Sequence, residues 1–164
     1  MAPNQGPQPL GAAAPKLYRD AERAARYNLL ATSFSLSLAE GLAATGRCAQ
    51  GIALIDERIR LDEADQALSY MPELLRLRGS IFLSMPQRRV DDAETCFANS
   101  LDLSRRQGAR AWELRTATDL AGLWRGLGKP EKARALLLPI FEQFAEGLET
   151  ADLEAAKNVL ASLR

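Results

Sequence analysis

With 164 residues, the chain is long enough for one domain with a substantial buried core. Lys and Arg number 21, and so do Asp and Glu, a balance that speaks against a nucleic-acid binder with its basic excess or stripe. No apolar run approaches the ~20 residues of a membrane span. There is no histidine, hence no imidazole base, no Ser–His or Cys–His nucleophile and no His-containing metal site.

Residues 1–15, "MAPNQGPQPLGAAAP", are rich in Pro, Gly and Ala and lack the charged start and apolar stretch of a secretory signal. They read as a disordered tail or linker ahead of a single helical domain over 16–164. From Lys16 onward Ala, Leu, Arg and Glu dominate and β-branched residues are few, as in helices. "TSFSLSLAE" alternates like a strand at Phe34, Leu36 and Leu38. It lies, however, in a stretch whose apolar residues Leu30, Phe34, Leu38 and Leu42 step by four, and a lone strand cannot satisfy its backbone, so helix is expected. Gly46 ends that helix, and "RCAQGIALIDERI" forms the next. A polar stretch, "RLDEADQALS", leads to Pro72 in the first turn of a third helix that closes at Met85-Pro86. "VDDAETCFANSLDLSRRQG" opens with aspartates and ends at Gly108, a C-terminal cap. "ARAWELRTATDLAGLWRGLG" and "PEKARALLLPIFEQFAEG" follow. Thr150 is placed to cap the last helix, where Leu153, Ala156, Leu160 and Leu163 share a face. Cys48 and Cys96 lack metal-ligand spacing and read as reduced thiols of a cytosolic protein.

The helices come in pairs, which calls for a search for repeats. Three small residues, Ala39, Gly79 and Ala121, lie 40 and 42 residues apart. Ala39 is followed by Gly51, Ile55 and Arg58, and Ala121 by Ala133, Leu137 and Ile140, at the same offsets of 12, 16 and 19. In the middle pair Gly79 is followed by Ala93, Phe97 and Ser100, with two extra residues in the turn. Antiparallel helices approach closely only where one presents Gly or Ala and a large residue of its partner fills the space beside it. The pattern resembles the tetratricopeptide repeat, with Leu42, Phe82 and Trp124 at its bulky site. Arg58 stands where that repeat has a small residue, and the spacing near 41 exceeds the usual 34. The resemblance implies an all-α, right-handed superhelical stack of three helical hairpins with a C-terminal capping helix. It also implies a concave groove lined by the first helix of each hairpin.

The stretches "YMPELLRLRGSIFL", "AETCFANSLDLSRRQGARAWELRTATDLAGLW" and "ARALLLPIFEQFAEGLETADLEAAKNVLASL" are further similar to the C-terminal helical region of large bacterial signalling proteins. Those proteins join a nucleotide-cyclase or transcription-activator module to an ATPase module and such a repeat region. The similarity spans residues 27–163, and the cyclase and ATPase segments have no counterpart in it. The repeat's groove positions fall on Ser33, Leu36, Glu40 and Ala43; on Glu73, Arg76, Ser80 and Leu83; and on Arg115, Thr118, Gly122 and Arg125.

"GLWRGLGKPEKARALL" contains a Gly-Leu-Gly-Lys that resembles part of a phosphate-binding loop. Five residues separate Gly122 from Gly128, Pro130 replaces the hydroxyl that would hold magnesium, and a helix precedes it. A tight turn, with Gly128 as left-handed cap and Pro130 opening the next helix, is expected instead. Trp112 and Trp124 read as packing residues. "DDAE" and "LDEAD" lack the alternating oxygen ligands and the Gly of a calcium loop. The arginines of "SRRQGAR" complement a helix C-terminus.

No catalytic, cofactor or metal constellation emerges, and the expected function is a non-catalytic, cytoplasmic protein-interaction or regulatory module of a signalling system. Its partner is expected to be a protein or peptide segment; Arg76, Arg115 and Arg125 in the groove would suit an acidic or C-terminal one, while the favoured alternative is that they are solvated charges or pair with neighbouring glutamates. Neither nucleic acid nor membrane is expected as a partner, and self-association into a homodimer stays open. The alternative is a small-ligand sensor domain of a signalling ATPase or transcription activator.

Overall fold

The computed structural model describes the backbone of residues 14–144 and 150–163, with side chains from Tyr27 onward other than Asn28. Among these residues there are seven α-helices and no strand. They are α1 (Ala14–Ala44), α2 (Cys48–Ala64), α3 (Met71–Ser84), α4 (Val90–Gln107), α5 (Arg110–Gly126), α6 (Pro130–Phe141) and α7 (Ala151–Ala161). A 3-10 turn, Leu68–Tyr70, leads into α3. Most of the expected tail, residues 1–13, lies outside the described residues, and α1 begins inside its last two positions.

The breakers act as their chemistry predicts. Gly108 and Gly128 take φ of 64° and 71°, a left-handed conformation that costs glycine little. There the N–H of Ala109 reaches Ser104 O and that of Lys129 reaches Trp124 O, closing helix ends that would otherwise leave carbonyls unpaired. Pro72 and Pro130 stand in the first turns of α3 and α6, where a missing N–H costs nothing.

Each helix packs on its successor, and α1, α3, α5 and α7 also neighbour one another in that order. All twelve repeat-related positions are buried: Ala39, Gly51, Ile55 and Arg58; Gly79, Ala93, Phe97 and Ser100; Ala121, Ala133, Leu137 and Ile140. A methyl added to Gly51 would stand 3.0 Å from the Ala39 carbonyl oxygen, and one added to Gly79 would stand 2.8 Å from the Phe97 ring. These are the close helix crossings that the small residues allow.

Three local expectations need correction. The second helix does not yield to a polar linker after Ile59 but runs to Ala64, because Asp62 is wholly buried and paired with Arg58 at 2.6 Å. Helix α6 ends at Phe141, not in the segment beyond. Pro139 cannot donate to the preceding turn, and α6 closes two residues later. Thr150 has the extended backbone of an N-cap, yet its side chain makes no capping bond. Separately, most of the apolar row of α1 faces away from the core. Leu30 and Phe34 are 72% and 69% exposed and Leu38 is exposed too, while Thr32 and Ala39 on the opposite side are buried.

Candidate functional site

Of the predicted groove residues, the structure brings Glu73, Arg76, Ser80, Arg115 and Thr118 together. Glu73 lies in the first turn of α3, where the helix dipole favours a carboxylate, and it is buried. One turn later, Arg76 donates from Nε and Nη2 to the two Glu73 oxygens, both at 2.9 Å. Its Nη1 reaches across to Asp119 on α5 at 2.6 Å, and Ser80 Oγ lies 3.3 Å from the same Asp119 oxygen. Arg115 on α5 donates from Nη1 to Glu73 at 3.3 Å and from Nε to Asp152, at the start of α7, at 2.7 Å. The Thr118 hydroxyl donates to the Leu114 carbonyl. A chain of alternating charge, Asp152–Arg115–Glu73–Arg76–Asp119, thus ties three helices together. Beside it opens a pocket of about 160 Å³ lined by Arg76, Arg115, Thr118, Asp119, Asp152 and Ala155.

Burial works against the charge of both arginines. The bonds to Glu73 and Asp119 outweigh it at Arg76, and those to Asp152 and Glu73 at Arg115, so both guanidiniums hold their protons more tightly than a free arginine. Two guanidiniums face three carboxylates, so the cluster carries no positive excess. The arginines that suggested an acidic ligand are already matched from within the chain.

Other predicted groove positions stand apart from this cluster. Leu36 and Ala43 of α1 and Leu83 of α3 are partly buried against the core. Ser33 donates to the Leu29 carbonyl of its own helix, and Glu40 is exposed. Arg125 bonds Ser162, just past the end of α7. Nothing stands within 4 Å of a methyl added at Gly122.

Asp119 and Asp152 went unnoticed in the sequence. The Glu73–Arg76 spacing of three is a legible helix pair, but the partners on α5 and α7 are set by how the hairpins stack.

The remaining motifs resolve into packing. The Gly-Leu-Gly-Lys segment is the turn between α5 and α6. Trp124 is buried, and its Nε1–H donates to Glu94 at 2.8 Å, the main reason that carboxyl titrates below its ordinary value. Burial opposes that shift and Lys132, 3.7 Å from the indole centroid, adds to it. Trp112 packs at a tilt of 53° against Tyr70 with centroids 5.2 Å apart. Arg105 and Arg106 pair with Glu113 and Asp102. Cys48 and Cys96 are buried free thiols. Among the described residues no group of three or more His, Cys, Asp or Glu is arranged to hold a metal ion, and no helix is long and apolar enough to cross a membrane. No family profile, curated protein or solved structure matches the chain.

Proposed function

We propose that this chain is a protein-interaction module, a tetratricopeptide-like superhelical stack serving a cytoplasmic, bacterial signalling system. The face shared by α3, α5 and α7 receives a partner segment. The observation that carries this reading is the chain of paired charges from Asp152 to Asp119, open along one edge to a pocket. Held by three helices, it presents donors and acceptors in fixed positions, and a pre-ordered polar surface spares a ligand part of the ordering cost of binding. The burial of equivalent small residues in all three hairpins supports the repeat architecture.

A segment of mixed polarity fits this face better than a purely acidic one, since its amides meet carboxylates and its carbonyls meet the outer N–H groups of Arg115. The small-ligand reading rests on a different place, a cleft of about 460 Å³ lined by Gly46, Cys48, Ala49, Met85, Pro86, Gln87 and Arg89, which has the size of a ligand pocket.

Ala155 is exposed at the rim of the charged pocket, so Ala155→Trp covers the pocket without removing any ion pair. Affinity capture from a bacterial lysate with the wild type and with this variant tests the proposal. A partner held by the wild type, released by added salt and missing from Ala155→Trp is the expected outcome. Equal capture by both proteins would place binding elsewhere.

A further inference from the structure

Helix α1 carries apolar residues on two opposite sides. At 100° per residue, Thr32, Leu36, Ala39 and Ala43 point one way, and these are the residues buried or packed against the core. Diametrically opposite, Tyr27, Leu30, Phe34 and Leu38 form a row, all exposed, Tyr27 at 73%. Between Tyr27 and Ala39 there is not one charged residue, in a chain that is 26% charged. A helix face of this kind is ordinarily covered.

The row has a symmetry that identifies its cover. Tyr27, Leu30, Phe34, Leu38 and Gly41 fall within one sector of about 100°, at steps of three, four, four and three, a spacing that reads the same in both directions about Phe34. An antiparallel copy of α1, with its two-fold axis at Phe34, sets Leu30 against Leu38 and Tyr27 against Gly41. A methyl added at Gly41 has nothing within 4 Å, so the glycine sits in open space where the tyrosine of a second copy has room. A glycine inside a helix costs about 1 kcal/mol relative to alanine. No neighbour among the described residues explains it at Gly41. In a parallel pair the tyrosines would meet each other and the glycines would leave a gap.

We infer that a second copy of this chain covers the row, in an isologous antiparallel α1–α1 contact centred on Phe34. The uncharged stretch and the zero net charge remove the repulsion that would oppose pairing of identical molecules. The row spans about 21 Å of helix, which places the interface at the small end of specific contacts, below roughly 1,200 Å². A contact of this size fits a dimer whose population depends on concentration.

Sedimentation equilibrium of the full chain over a wide concentration range tests this, with Phe34→Glu and with a mixture of Leu30→Cys and Leu38→Cys proteins under mild oxidation. Concentration-dependent dimers are expected from the wild type. Phe34→Glu sets two carboxylates against each other at the axis and weakens association by at least ~100-fold with unchanged helical circular dichroism. Oxidation links Leu30→Cys to Leu38→Cys in preference to either with itself. A wild type that stays monomeric at all concentrations overturns the inference, including the case where deletion of residues 1–13 releases a dimer. So does a dimer that tolerates Phe34→Glu, or one in which Leu30→Cys links best to itself.

Discussion

Asp62→Ala will cost about 3–5 kcal/mol of stability, the penalty for leaving a buried charge without its partner. Asp62 is wholly buried, Arg58 nearly so, and the two meet at 2.6 Å. Thr32 of α1 lies 3.2 Å from the same carboxylate, so the pair also fastens α2 to α1. Arg58 Nε has no hydrogen-bond partner among the described residues, so it offers no second bond to hold the guanidinium when Asp62 is removed. In thermal unfolding the variant should melt on the order of 10 °C below the wild type. The double change Arg58→Met/Asp62→Leu should recover most of this, because two apolar side chains of similar size avoid the desolvation of both charges. An Asp62→Ala protein within ~0.5 kcal/mol of the wild type would mean that the end of α2 is open to water.

The second large effect is expected at the crossing of α3 and α4. Phe97→Ala should cost about 3–5 kcal/mol through lost burial and the cavity it leaves. Gly79→Ala should cost about 1–3 kcal/mol, because its methyl would stand 2.8 Å from a ring that has nowhere to move. Combined, the two changes should cost less than their sum, since the methyl enters space the ring has vacated. Denaturant unfolding of the three variants measures this coupling. Strict additivity would separate the two residues in space and remove the basis for aligning the middle hairpin with the others.

The contrast between what was legible in the sequence and what was not follows the range of the interactions. Gly46, Gly108, Gly128, Pro72 and Pro130 act through their own backbone, and all mark helix ends as predicted. Ala39, Gly79 and Ala121 read as small residues at close helix crossings, and all are buried. By contrast, Asp62 looked like linker because a carboxylate on a core face makes sense only with Arg58 one turn away and no water near it. The exposed face of α1 is a related case. Periodicity locates an apolar face, but it does not say whether this molecule or another covers it. At the candidate site Glu73, Arg76 and Arg115 were named from the groove pattern, whereas Asp119 and Asp152 came together only through the stacking of α5 and α7 on α3. That pairing changes the chemistry of the face from basic to mixed, with three carboxylates against two guanidiniums.

The proposed function turns on where a partner touches the molecule. Hydrogen–deuterium exchange of the full chain, with and without the partner captured by the wild type, answers this directly. Binding at the charged face predicts slowed exchange in residues 73–80 of α3, 115–122 of α5 and 152–156 of α7, with α2, α4 and α6 unchanged. Protection confined to α2, α4 and α6, or to α1 alone, would contradict it.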